Sequence, residues 1–181
     1  MGDIELINNY LETNNEDAIS QLLEKYLQYI FNVAYSFVGD KNRANDITQE
    51  VCYKIIKNLK QFNQKSQFKT WIYSIIHNEA INKISDKNNF VDVKDYEYSE
   101  SEDEISIKKD LNGKYVSDIV MKELGSLNPF DSSLIISFYY ENLSIKEISK
   151  ATGESESNVK TRLCRARKLL KSKLSEYGII D

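Results

Sequence analysis

Residues 143–174 read LSIKEISKATGESESNVKTRLCRARKLLKSKL, and this stretch sets the fold of the C-terminal part of the chain. Ser144 and Glu147 stand three apart at the head of an apolar-periodic run, so each side chain can satisfy an orphan amide of the first helical turn. Thr152 and Gly153 end that helix, because glycine accepts the positive φ of a tight turn. Ser155 caps a second, longer helix. On it Val159, Leu163, Ala166, Leu170 and Leu174 recur at helical spacing and form one apolar stripe. Lys160, Arg162, Arg165, Arg167, Lys168, Lys171 and Lys173 lie beside or outside the stripe, and no acid interrupts residues 158–175. The pattern predicts a helix–turn–helix with a cationic second helix. Such a helix suits the major groove, where first-turn residues reach base edges and flanking cations meet phosphates. A solvated amphipathic helix is the bland alternative; the coincidence of turn, cap and basic run favours DNA.

Outward from this motif the chain stays helical in pattern. Asn128-Pro129 opens a helix carrying Leu134, Ile135, Ile136, Phe138 and Tyr139, and a further helical unit begins near Tyr115. The N-terminal part predicts four helices. Ile4, Ile7 and Leu11 mark a short first one. A long second one runs from Ala18 through Leu22, Tyr26, Ile30 and Ala34 to Phe37 and closes near Gly39. Asp40 caps a third, in which Ile47, Val51, Ile55 and Leu59 keep four-residue spacing. After the polar loop QFNQKSQ, Phe68, Trp71, Ile72, Ile75, Ile76 and Ala80 mark a fourth. One proline, six glycines and 41% apolar residues fit an all-α chain of two small domains, residues 1–84 and 114–181.

Between them the periodicity fails. Residues 85–113 hold nine acidic and four basic groups, and they read as an acidic tether, extended or disordered when free. The formal net charge of -4 therefore hides an asymmetry, since residues 144–181 carry nine basic groups against five acidic. Segments so different in charge have different partners. No apolar run approaches a membrane span, and the N-terminus lacks the pattern of a signal peptide. Cys52 and Cys164 stand far apart in predicted helices, which fits a reducing cytoplasm. A lone histidine, His77, and no Cys/His cluster argue against a metal site, and no cofactor is expected. No nucleophile–base pair or Gly-rich phosphate loop points to an enzyme.

Two surfaces of the N-terminal domain stand out. On the third helix Asp46, Gln49, Glu50 and Tyr53 occupy i, i+3, i+4 and i+7, one contiguous polar patch. Taken alone, it reads as solvent-facing surface. The fourth helix presents Lys69, Tyr73 and His77 at four-residue spacing, with Thr70, Asn78 and Asn82 alongside. Such groups beside a short polar loop can receive unstacked bases; an ordinary wet helix face is the equal alternative. Trp71 reads as core.

The string YLQYIFNVAYSFVGDKNRANDITQEVCYKIIKNL (26–59), followed by FKTWIYSIIHNEAINKI (68–84), resembles region two of the extracytoplasmic-function sigma factors of bacterial RNA polymerase. The string LNPFDSSLIISFYYENLSIKEISKATGESESNVKTRLCRARKLLKSKL (127–174) resembles their region four. The resemblance implies that Asp46, Ile47, Gln49, Glu50, Val51 and Tyr53 fall on the helix that docks on the β′ clamp helices. It further implies that loop 62–67 and the fourth helix open the minus-ten element and hold an extruded base, with Lys69, Thr70, Tyr73, His77, Asn78, Asn82 and Lys83 as the DNA set. Residues Ser155, Glu156, Ser157, Asn158, Lys160, Thr161, Arg162, Arg165, Arg167 and Lys168 fall on the recognition helix for the minus-thirty-five element. Partners implied are core polymerase (β and β′), promoter DNA and an anti-sigma factor, with the free chain a cytoplasmic monomer and its linker along the path of nascent RNA.

Three positions depart from the family pattern. Ser85 and Asp86 stand where a pair of arginines is usual, which weakens or moves phosphate contact there. Cys52 replaces an aromatic. Asn158 replaces a common threonine, and asparagine can pair bidentately with adenine. The expected role is a non-catalytic promoter-specificity subunit. A stand-alone helix–turn–helix regulator is the chief rival, and a helical protein–protein adaptor the lesser one.

Overall fold

Three of the long helices start where the sequence supplies a side-chain cap. The computed structural model describes residues 2–85 and 113–180; the acidic segment read as a tether lies outside the described residues. Helix α1 spans Asp3–Thr13 and α2 spans Glu16–Val38, capped by Asn15, whose Oδ1 accepts from the Asp17 amide at 2.9 Å. Gly39 ends α2 in the left-handed region at φ 64°, as its missing Cβ allows. Asp40 then accepts from the Arg43 amide and starts α3, Lys41–Asn58, which runs into a 3₁₀ turn, Leu59–Gln61. Helix α4 is Phe68–Ser85.

The first domain packs α2, α3 and α4 on one another. Leu22, Ile30, Val33, Val51, Ile55, Leu59, Ile72 and Ile76 have no exposed surface. Burying each side chain of this size stabilises by about 1.5–3 kcal/mol relative to exposure. Phe62, Phe68 and Trp71 close one end of this core, with the Phe68 and Trp71 rings stacked at 5.5 Å. Trp71 thus packs on the core edge, half-buried, as its periodicity indicated.

The second domain holds α5, Gly113–Gly125; α6, Pro129–Ile135; α7, Ile145–Thr152; and α8, Glu156–Ser175. Asn128 caps α6 with Pro129 at its first turn, where a missing amide costs nothing. A π turn, Ile136–Tyr140, follows α6, and Asn142 at φ 57° redirects the chain toward α7. The π turn was not foreseen, because wider turns of this kind carry no periodic signature. Ile179 and Ile180 are also buried, beyond the last helical stripe.

The domains are in contact. α4 lies along α7 and α2 lies along α6. As a result α4 is buried on two faces, one toward α2 and α3 and one toward the second domain.

Candidate polymerase and DNA interface

In the helix–turn–helix, Ser144 and Glu147 form the expected reciprocal cap. The Ser144 amide donates to Glu147 Oε2 at 2.9 Å, and the Glu147 amide donates to Ser144 Oγ at 3.3 Å. Hydrogen bonds from the Ser144 side chain hold the Glu147 carboxyl below its usual range, aided by the Ser144 amide and Thr70 and opposed by desolvation. Gly153 turns at φ 78° and returns its amide to the Ser149 carbonyl. Ser155 Oγ accepts from the Asn158 amide at 3.1 Å and starts α8. Val159, Leu163, Ala166, Leu170 and Leu174 are buried, so the rest of α8 is turned outward or sideways.

The recognition set divides. Ser155, Glu156, Ser157 and Lys160 are exposed on the first turns, where a major-groove helix meets base edges. Thr161 and Arg165 are half-exposed one turn on, as are Arg167 and Lys168. Asn158 donates its side-chain amide to Glu154, so an adenine contact requires that bond to be exchanged. Arg167 donates to the Tyr139 hydroxyl at 3.0 Å.

Arg162 requires a correction. Expected to face DNA, it reaches back to α6: its Nε and Nη2 both lie 2.9 Å from Asp131 Oδ1, and its guanidinium covers the Phe130 ring at 4.4 Å. An ion pair that is four-fifths buried and stacked on an aromatic is a packing element of this domain.

On the first domain Asp46 and Gln49 are exposed, Glu50 is half-exposed and Tyr53 is 59% exposed. Ile47 is the second correction. It is 1% exposed and belongs to the core stripe with Val51 and Ile55, so it supports the patch from beneath and offers no surface. Beside the patch runs a groove of about 380 Å³ lined by Glu50, Tyr53, Lys54, Lys57, Ile75 and Asn78. Lys57 sits 5.7 Å over the Tyr53 ring, and Lys54 pairs with the buried Glu79. Lys57 and an open aromatic can meet a phosphate and an unstacked base, while Lys54 is neutralised by Glu79. Lys54 and Lys57 were missed, although they continue the Glu50–Tyr53 face at three- and four-residue spacing.

The minus-ten set separates into two groups on α4, one exposed and one turned toward the second domain. Asn78, Asn82 and Lys83 are exposed, and Asn78 lines the groove. Lys69, Thr70, Tyr73 and His77 face the second domain. Lys69 pairs with Glu141 at 2.6 Å, and Thr70 donates to Glu147 at 3.0 Å. Tyr73 is fully buried. His77 is set edge-on between Phe37 and Phe130, at 5.8 and 5.2 Å. Burial lowers the His77 imidazole below its ordinary value, with Asn78 and Glu154 acting the other way. Ser85, one of the two altered arginine positions, is the last residue of α4, and Asp86 lies outside the described residues.

These features define a class: a two-domain, helical protein that carries a capped helix–turn–helix and a separate polar patch on α3. Residues 22–90 match the Sigma-70 region 2 family and residues 117–170 match Sigma-70, region 4. The RNA polymerase sigma factor SigV of Bacillus subtilis is 30% identical over 152 residues, spanning 84% of this chain and 88% of that protein. The ECF RNA polymerase sigma factor SigW of the same organism is 25% identical over 181 aligned positions, spanning 92% and 94%. The fold is shared with the sigma factor RpoE from Bartonella quintana, solved in complex with the anti-sigma factor NepR (TM-score 0.68, 23% identity, covering 86% of this chain and 96% of that one). The chain belongs to the extracytoplasmic-function sigma factors of the sigma-70 family.

Proposed function

We propose that the chain acts as a non-catalytic cytoplasmic specificity subunit whose separate surfaces divide the work of initiation. The α3 patch of Asp46, Gln49, Glu50 and Tyr53 docks on the β′ clamp helices of core polymerase. The adjoining groove, with Lys54, Lys57 and Asn78, and the exposed Asn82 one turn further along α4, takes the displaced minus-ten strand. The exposed first turns of α8, with Arg165 behind them, take the minus-thirty-five duplex. Nothing in this division asks for bond-making chemistry from the chain itself. Extruding a base costs a few kcal/mol, and phosphate contacts along the groove offset part of it.

The observation that carries this reading is the side-by-side placement of the acidic–aromatic patch and a polar groove carrying Lys57 on the α3–α4 face. A stand-alone duplex-binding regulator has no need of either. With a chain charge of -4, nonspecific attraction to DNA is small outside α8. Tethering both domains along one duplex on polymerase makes up the affinity. An anti-sigma factor is the proposed regulatory partner, by likeness to RpoE.

The test is binding of the purified chain to core RNA polymerase, followed by transcription from its own upstream DNA. Tight binding with new start sites is the expected result. Specific duplex binding without any association with core would replace this reading by the stand-alone regulator.

A further inference from the structure

Arg167 and Tyr139 meet beside the recognition helix, and the residue set assigned to DNA above includes only the arginine. On α8 Lys160, Cys164, Arg167 and Lys171 stand at i, i+4, i+7 and i+11, so they share one side of the helix. Lys160 is exposed on the turns read above as groove-facing, and Arg167 lies about two turns further along the same side. Its Nη1 donates to the Tyr139 hydroxyl at 3.0 Å. Burial works against the charge of Arg167, and the contacts with Tyr139 and Cys164 outweigh it. Among the described residues no carboxylate pairs with Arg167, whereas the charge of Arg162 is met by Asp131.

The π turn brings Tyr139 to this place. Ile135 and Ile136 are buried, and in an uninterrupted α-helix Tyr139 would follow them by four and three residues and share their inward face. The Glu141 amide instead donates to the Ile136 carbonyl, five residues back, at 3.0 Å. A wider turn rotates less per residue, so Tyr139 falls off the inward stripe. It stands 43% exposed, its ring edge-on to Phe138 at 5.0 Å. Turns of this kind are frequent at functional sites. A phenol hydroxyl both donates and accepts. That of Tyr139 accepts from Arg167 and, among the described residues, donates to nothing. Its proton and the remaining guanidinium N–H groups are donors that an anion can take together.

We propose that Tyr139 and Arg167 form a phosphate site, in which the tyrosine hydroxyl and the guanidinium donate to the same backbone phosphate at the border of the minus-thirty-five duplex. The site rests on α8 being the recognition helix. Arg167 lies behind the first turns, which are the ones that reach base edges, so its place is on the backbone. Tyrosine and arginine both serve among the side chains that bind phosphate oxygens. Tyr139 also positions Arg167: a guanidinium already held loses less side-chain freedom on binding. The contact fixes the register of α8 on the duplex and carries no sequence information of its own.

The experiment uses the full chain assembled with core polymerase on its own upstream DNA, as wild type, Tyr139→Phe, Arg167→Ala and the double variant. Each is checked for helix content by circular dichroism and for core binding. Ethylation interference reports which phosphates are needed, and binding across a salt series gives affinity and slope. Wild type should show a phosphate bordering the minus-thirty-five element whose ethylation blocks binding. Tyr139→Phe and Arg167→Ala should both lose sensitivity at that same phosphate while the other positions keep theirs. Tyr139→Phe should bind about three- to tenfold more weakly, with an unchanged salt slope because no charge is removed. Arg167→Ala should lower the slope by about one, and the double variant should lose less than the product of the single losses. A Tyr139→Phe chain that keeps the wild-type map and affinity would overturn the site. So would a loss that follows weaker core binding with an unchanged map, which would assign Tyr139 to a protein contact. A wild-type chain that fails to join core would instead remove the sigma reading, and the site with it.

Discussion

Replacing Arg162 by alanine separates a packing role from DNA contact at one position. The guanidinium makes two contacts of 2.9 Å to Asp131 and caps the Phe130 ring at 4.4 Å. Hydrogen bonds between charged groups contribute about 1.5–3 kcal/mol, and a cation–π contact about 1 kcal/mol. The Asp131 side chain remains 21% exposed, so water recovers part of the loss once the arginine is gone. The expected cost is therefore about 2–3 kcal/mol. For a chain of this size that corresponds to roughly 4–12 °C in melting temperature. Urea denaturation followed by circular dichroism measures it. Asp131→Ala, which lies off the recognition helix, should show a similar loss, and the double variant should cost less than the sum. A fully stable Arg162→Ala chain that loses promoter binding would refute the packing assignment and return Arg162 to the DNA.

Arg165→Ala should weaken promoter binding by about 1–3 kcal/mol if the side chain reads a guanine, and by less with a smaller salt slope if it meets phosphate; unchanged promoter use at low and high salt removes it from the interface. Reversing the charges of Asp46 and Glu50 together should impair core-polymerase binding in a pull-down while leaving the melting temperature nearly unchanged, because neither is a core residue. A folded double variant that binds core normally would refute the docking assignment. His77 supplies a pH dependence. Its imidazole is depressed by burial from an ordinary value of 6.5, so below that value the unfolded chain binds the extra proton and stability falls as pH drops. Between about pH 8 and about pH 5.5 the melting temperature of wild type should fall more than that of His77→Phe; parallel curves would show that His77 does not titrate on unfolding.

Much of the fold was legible because its signals are local. Ser144, Glu147, Gly153 and Ser155 act within one turn of themselves, and each does in the structure what its residue type allows. The stripes of α3 and α8 likewise follow from the 3.6-residue period, which fixes the residues that share a face. The outward patch from Asp46 to Tyr53 was found for the same reason. Arg162 was misread because its residue type and position in a basic run fit DNA, while its partner Asp131 lies 31 residues away. Ile47 entered the docking set through the resemblance, against its own place in the core stripe.

The amino-acid sequence by itself determined the helices, their caps, the two domains and the family. Only the tertiary structure decided how α4 is shared. Lys69, Thr70, Tyr73 and His77 have the spacing of a wet helix face, yet their neighbours are Glu141, Glu147, Ser137 and Phe130, contributed by the second domain. Periodicity states that residues face the same way. Whether that way leads to water, to DNA or to another domain depends on contacts between residues 72 and 77 positions apart, which no local pattern encodes.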